Sequence, residues 1–231
     1  MPKPRGRALK VGGVCTFDAN VIEKLHNGFK ILYIFCNFVF RILSLHINIY
    51  MEFIKQHIEG VWVIQPKRFG DARGYFSETF KLEEFRKHVG DVEFVQDNES
   101  FSTYGVLRGL HFQKGEFSQA KLVRVSRGRV LDVAVDLRGG SPTYGEHVAV
   151  ELTAEKGNQL FIPRGFAHGF VVLSDEAQFQ YKVDNVYAPQ SEATLKFDDP
   201  ALGIDWQVPF EKVLLSAKDK EGMPFSAIKP F

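Results

Sequence analysis

The stretch Val106-Leu107-Arg108-Gly109-Leu110-His111-Phe112-Gln113 sets one imidazole in an apolar, β-prone run. A guanidinium precedes it by three residues, and Lys121 follows it by ten. Histidine titrates near neutrality, so a fixed imidazole is a natural group for moving a proton at physiological pH. A lone histidine in apolar company can equally be a core residue tied to a carbonyl. Here the cations on either side, and Gly109, which allows backbone or ligand to come close, point to a site for an anionic substrate. A second histidine in apolar company, His168, lies in Gly165-Phe166-Ala167-His168-Gly169-Phe170. In Gln178–Val183, Phe179, Tyr181 and Val183 share a face at period two, which turns the Tyr181 hydroxyl inward. Buried tyrosines usually find a partner for the hydroxyl, so for Tyr181 alone a structural role stays open.

The elements that must position these groups are short strands. From Met51 onward the pattern is β-like, with turn signals at Gly70-Asp71-Ala72-Arg73-Gly74 and Gly139-Gly140-Ser141-Pro142. Tyr75–Phe80 reads as a strand. In Val130–Leu137, Leu131, Val133, Val135 and Leu137 point one way while Asp132, Ala134 and Asp136 point the other, and Val148, Val150 and Leu152 repeat the pattern. Lys81–Val89 reads as a helix, with Leu82, Phe85 and Val89 on one face and Gly90 where a C-terminal cap belongs. Past Asp198-Asp199-Pro200 the strand rhythm fades, and Ser216-Ala217-Lys218-Asp219 falls in a polar tail segment.

Of the 231 residues, 45% are hydrophobic and 22 are Phe, ample material for a core. The net charge of +1 is unevenly spread. Residues 1–50 carry seven Lys/Arg against Asp18 and Glu23, and the remaining residues hold 22 basic and 26 acidic side chains. A mildly acidic body argues against nucleic acid as a partner. Both cysteines, Cys15 and Cys36, lie in the first fifty residues, so neither disulfides nor thiolate metal sites hold the body together. The apolar run Ile31–Phe40 ends at Arg41, about half the length a membrane anchor requires. No signal-peptide cleavage pattern follows it. We therefore expect residues 1–50 to be a disordered or non-native extension, Met51 to be the functional start, and no membrane partner. Residues 51–231 form the functional domain.

Two histidine motifs among short strands are similar to the cupins, and this implies a mainly β, cupin-type double-stranded β-helix (a jelly-roll barrel) with a few short helices. Gly157, Pro163-Arg164-Gly165-Phe166-Ala167-His168 follows the second cupin motif. The first motif wants a second imidazole where this chain has Gln113, leaving too few nitrogen ligands for a transition metal. We expect no metal and no cofactor, with the histidines free for acid–base work.

A more specific resemblance rests on five ordered motifs between Met51 and Asp219: Phe69-Gly70-Asp71-x-Arg73-Gly74, Phe94-Val95-Gln96-Asp97-Asn98, Val106–Gln113, Ile162–Phe170 without Arg164, and Ser216–Asp219. Together they resemble the dTDP-4-dehydrorhamnose 3,5-epimerases. That resemblance implies epimerisation at C3 and C5 of dTDP-4-dehydro-6-deoxyglucose, on the way to dTDP-L-rhamnose, in the cytoplasm. It implies His111 as base with Asp219 behind it, Tyr181 as acid from the other ring face, and Lys121 at the C4 oxygen with His168 as a second candidate there. It also implies Arg73 and Arg108 at the pyrophosphate, and Glu78, Gln96 and Asn98 at the nucleotide or sugar. Family members are homodimers in which N-terminal strands cross between barrels, so Arg73 and Glu78 are expected at the neighbouring subunit's site. The competing readings are a single-centre epimerase or ketoisomerase on a related 4-keto sugar, a non-catalytic sugar-nucleotide-binding cupin, and a metal-dependent oxygenase, against which Gln113 argues.

Overall fold

The structure, a computed structural model, describes residues 51–231. The expectations about an extension or an anchor before Met51 lie outside the described residues. Two sheets face each other, and every ladder between their strands is antiparallel. The six-stranded sheet runs β1 (Met51–Lys55), β2 (Trp62–Pro66), β10 (Gln159–Ile162), β7 (Lys121–Arg127), β12 (Glu176–Val183), β5 (Gln96–Thr103). The five-stranded sheet runs β13 (Glu192–Thr194), β6 (Leu107–Gln113), β11 (Phe166–Val172), β8 (Arg129–Asp136), β9 (His147–Thr153). A separate hairpin joins β3 (Phe69–Asp71) to β4 (Gly74–Phe76). Strands distant in sequence therefore lie side by side, as the cupin-type jelly roll requires.

Side-chain alternation along β8 shows how the layers form. Val130 and Ala134 enter the space between the sheets, joining Val123, Leu160, Phe170 and Phe179. Leu131, Val133 and Val135 face outward, as does Leu137 just beyond the strand. They are not exposed, because the C-terminal segment returns with Leu195, Phe197, Leu202, Trp206 and Ile228 to cover them. Both faces of β8 are dry, and this explains why its polar members Asp132 and Asp136 are fully buried. On the other flank the helix α1 (Leu82–His88) inserts Phe85 against Ile64, Leu122 and Phe161. Burying a phenylalanine of this kind is worth about 1.5–3 kcal/mol in transfer free energy. Gly90 ends the helix at φ 136°, its N–H reaching the Phe85 carbonyl at 3.3 Å.

One expectation needs correction. Tyr75–Phe80 is not one strand: pairing stops at Phe76, and the Ser77 hydroxyl donates to the Lys67 carbonyl while the Thr79 carbonyl accepts from Gln159 Nε2. Those bonds, to residues ten and eighty positions away, give Ser77 and Thr79 partners outside any ladder. The Ser216–Asp219 segment, expected in a polar tail, is exposed at Ser216, Ala217 and Lys218 and buries only Asp219. It opens the short helix α2 (Ala217–Lys220) with a capping box, in which Ser216 and Asp219 satisfy each other's backbone N–H groups. Asp219 is 3% exposed.

Candidate active site

Between the two sheets lies a cavity of about 310 Å³ whose lining includes Arg108, His111, Lys121, His168, Tyr181 and Asp219. The five-stranded sheet supplies Arg108, His111 and His168, from β6 and β11. The six-stranded sheet supplies Lys121 and Tyr181, from β7 and β12. Arg108 and His111 are three apart, so strict period two would send them to opposite faces. They share a face because the β6–β11 register shifts by one residue between His168 and Phe170. The shift occurs where Gly109 meets Gly169. A Cβ on Gly109 would stand 2.5 Å from the Gly169 Cα, and one on Gly169 would stand 2.7 Å from the Arg108 carbonyl oxygen.

His111 Nε2 lies 2.6 Å from Asp219 Oδ1. That carboxylate also accepts from the Gly109 N–H at 3.2 Å and from the Ser216 hydroxyl at 2.6 Å. Burial opposes the charge on Asp219, but the bonds from His111, Ser216 and Gly109 outweigh it and bring its pKa down to about 2. Across the cavity, burial pushes the Tyr181 hydroxyl above its usual range, with the nearby Arg108 charge partly offsetting it. Lys121 is brought down to about 8 by burial, against the opposing pull of Asp132 and Glu192. Arg108 is steadied by a bond from its Nε to the Ser102 hydroxyl at 3.1 Å.

The site thus holds an imidazole backed by a carboxylate, the ammonium of a half-buried lysine, and a protonated phenol on the opposite wall. That set can take a proton from carbon, stabilise the resulting oxyanion, and return a proton from another side. Gln113, at the position where the first cupin motif has an imidazole, is fully engaged elsewhere. Its amide donates to the Phe117 and Val186 carbonyls and accepts from the Ala188 N–H.

Four sequence-predicted residues do not line this cavity. Arg73 projects from the β3–β4 hairpin and pairs with Asp71, and Glu78 follows the same hairpin. Gln96 and Asn98 lie on β5, bonded to each other at 2.7 Å, and Asn98 lines an adjoining groove on the six-stranded sheet instead. Three groups escaped the sequence reading. Asp132 places both carboxylate oxygens 3.0 Å from His168 Nε2. Glu192 accepts from the Tyr187 hydroxyl at 2.7 Å and pairs with Lys218. Ser216 caps α2 and holds Asp219; its spacing to Asp219 is the one signal that could have revealed such a cap.

A family model described as dTDP-4-dehydrorhamnose 3,5-epimerase matches residues 55–227. A protein of that name from Shigella flexneri is 52% identical over 176 residues, 76% of this chain and 96% of that protein. A dTDP-4-dehydrorhamnose 3-epimerase from Streptomyces niveus is 40% identical, over 72% of this chain and 80% of that protein. Among solved structures, a dTDP-6-deoxy-D-glucose-3,5-epimerase from Legionella pneumophila in complex with dTDP-4-keto-L-rhamnose superposes with a TM-score of 0.75. It is 46% identical, and the match covers 78% of this chain and 95% of that one. With a family model spanning nearly all of the described body, and about half of the aligned residues shared with the Shigella flexneri protein, the chain belongs to the dTDP-4-dehydrorhamnose 3,5-epimerase family.

Proposed function

We propose that the chain epimerises dTDP-4-dehydro-6-deoxyglucose at C3 and C5, giving dTDP-4-dehydrorhamnose. The observation that carries this reading is the His111–Asp219 pair at 2.6 Å, sharing one cavity with Lys121 and Tyr181. Hydrogens on the carbons flanking a ketone become removable when the enolate oxygen is stabilised. His111 takes the proton. Asp219 holds the ring and compensates the imidazolium that forms. Lys121 stabilises the oxygen at C4, where its charge in a dry site acts far more strongly than it would in water. Tyr181 keeps its proton at neutral pH and delivers it from the other wall. Such delivery inverts the centre rather than restoring it.

Arg108 serves the pyrophosphate, for which a guanidinium fork suits the geometry. The working unit in this reading is a homodimer, with Arg73 and Glu78 completing the partner's site, while Gln96 and Asn98 contact the nucleotide or sugar. What supports it is the β3–β4 hairpin, which carries Tyr75 and Phe76 at 61% and 65% exposure. It also keeps Arg73 away from its own cavity. No helix among the described residues is long and apolar enough to cross a membrane. We place the reaction in the cytoplasm, with its charged nucleotide substrate, and independent of metal, since Gln113 is bound to three backbone groups. The identity to a 3-epimerase keeps inversion at C3 alone as a second reading. Incubating the full chain with the 4-keto sugar nucleotide in deuterium oxide tests both. Solvent deuterium at C3 and C5 with the rhamno product supports the first, deuterium and inversion at C3 alone the second, and binding without exchange contradicts each.

A further inference from the structure

The Asp132–His168 pair lies outside the base–acid relay, and its geometry restricts what His168 can do. Asp132 is fully buried between two dry faces, and its two oxygens lie at equal distance from one ring nitrogen, Nε2. A carboxylate can only accept, so Nε2 carries the hydrogen. Nδ1 makes no hydrogen bond within the described chain, and His168 lines the cavity. The ring is fixed from other sides too: it stacks on Phe179, with centroids 6.1 Å apart. The charged or titratable groups around it are Asp132 on β8, Lys121 on β7 and His111 on β6, with Tyr181 on β12 lining the same cavity. One ammonium already balances one carboxylate there, and a second cation in so dry a place would be uncompensated. Burial, with Lys121 and His111 adding to it, accordingly holds the His168 pKa below its usual value despite Asp132.

We propose that Asp132 is a positioning residue that fixes His168 as a neutral ring with Nε2–H turned into the wall. Its bare Nδ1 then receives a hydroxyl hydrogen of the bound sugar and cannot donate to the C4 oxygen, which leaves Lys121 as the sole donor there. This rests on the epimerase reading only for the identity of the ligand; the state of the ring can be measured without it.

The test uses full-length protein carrying ¹⁵N-labelled histidine, with the His168 signals assigned by their loss in His168→Leu. Two-bond proton–nitrogen spectra should show a protonated Nε2 and a bare Nδ1 from about pH 6 to about pH 9, across the range where a free imidazole titrates. Asp132→Ala should release the ring into a mixture of tautomers. In kinetics, His168→Leu should raise KM roughly 10- to 100-fold, the loss expected of one buried hydrogen bond. Its deuterium exchange at saturating substrate should stay within about threefold, whereas Lys121→Met should lose about 10²-fold or more of that exchange. An imidazolium, an Nδ1–H, or His168→Leu losing saturating exchange as fully as Lys121→Met would overturn the proposal. So would a ring that stays in one tautomer in Asp132→Ala. Should Asp132→Ala not fold, the wild-type spectrum and the His168→Leu kinetics still decide. Wild-type protein that incorporates no deuterium would count against the epimerase reading alone, while the spectra would still report the ring.

Discussion

His111 and Tyr181 reach one cavity from opposite sheets, His111 on β6 of the five-stranded sheet and Tyr181 on β12 of the six-stranded one. A planar enolate between them would present one face to each. In the proposed reaction, that placement would let one side chain take a proton from one face of the ring while the other returns it to the opposite face.

Asp219→Asn should lower turnover by roughly 10²- to 10⁴-fold, because the amide neither holds the required tautomer nor compensates the imidazolium. KM should change little. The same carboxylate contributes to folding. Its folded pKa of about 2 lies below the usual 3.8, so its contribution of about 2 kcal/mol is complete above the unfolded value and is lost as pH falls through about 2. Acid unfolding followed by circular dichroism should be shallower in Asp219→Asn than in the parent.

Lys121 with a pKa of about 8 predicts that turnover falls as pH rises through about 8, when the ammonium loses its proton. Stability should move the other way. The unfolded chain keeps that proton up to about 10.5, so between about 8 and 10.5 it binds more protons than the folded chain, and this group makes stability rise with pH. Rate and urea-midpoint profiles, compared with Lys121→Met, check both signs.

Arg73→Ala and His111→Ala should each be nearly inactive alone, yet regain activity when mixed and allowed to exchange subunits. If the hairpin serves the neighbour, each mixed dimer holds one intact site. About a quarter of all sites should then work in an equal mixture. No recovery, with exchange demonstrated, would place Arg73 in its own subunit's function.

Turnover should survive exhaustive chelation followed by assay in metal-free buffer. A stoichiometric transition metal held at His111 and His168 and required for activity would contradict the acid–base account.

How much of this the sequence reveals depends on what surrounds each residue. α1 was legible because Leu82, Phe85 and Val89 keep helical spacing, and the structure places the helix at Leu82–His88. The inward turn of Tyr181 followed from the apolar neighbours Phe179 and Val183, both buried. Asp132 was not legible. A carboxylate alternating with Leu131 and Val133 reads as a solvent face, and only the C-terminal segment folding back over β8 makes both faces interior. The strand β5, Gln96–Thr103, is mostly polar and carries no period-two signal, since several of its residues face the solvent and the groove. Nor does residue spacing place Arg108 and His111 on one face; the register shift opposite Gly169 does so.

The most direct test of the central claim is the comparison of Tyr181→Phe with His111→Ala in deuterium oxide. His111→Ala should abolish both epimerisation and exchange, a loss of at least about 10²- to 10⁴-fold. Tyr181→Phe removes one oxygen and leaves His111, Asp219 and Lys121 in place. It should still take up solvent deuterium, with retention, while inversion falls sharply. If Tyr181→Phe loses exchange as fully as His111→Ala, or inverts at the wild-type rate, then Tyr181 is not the acid on the opposite wall.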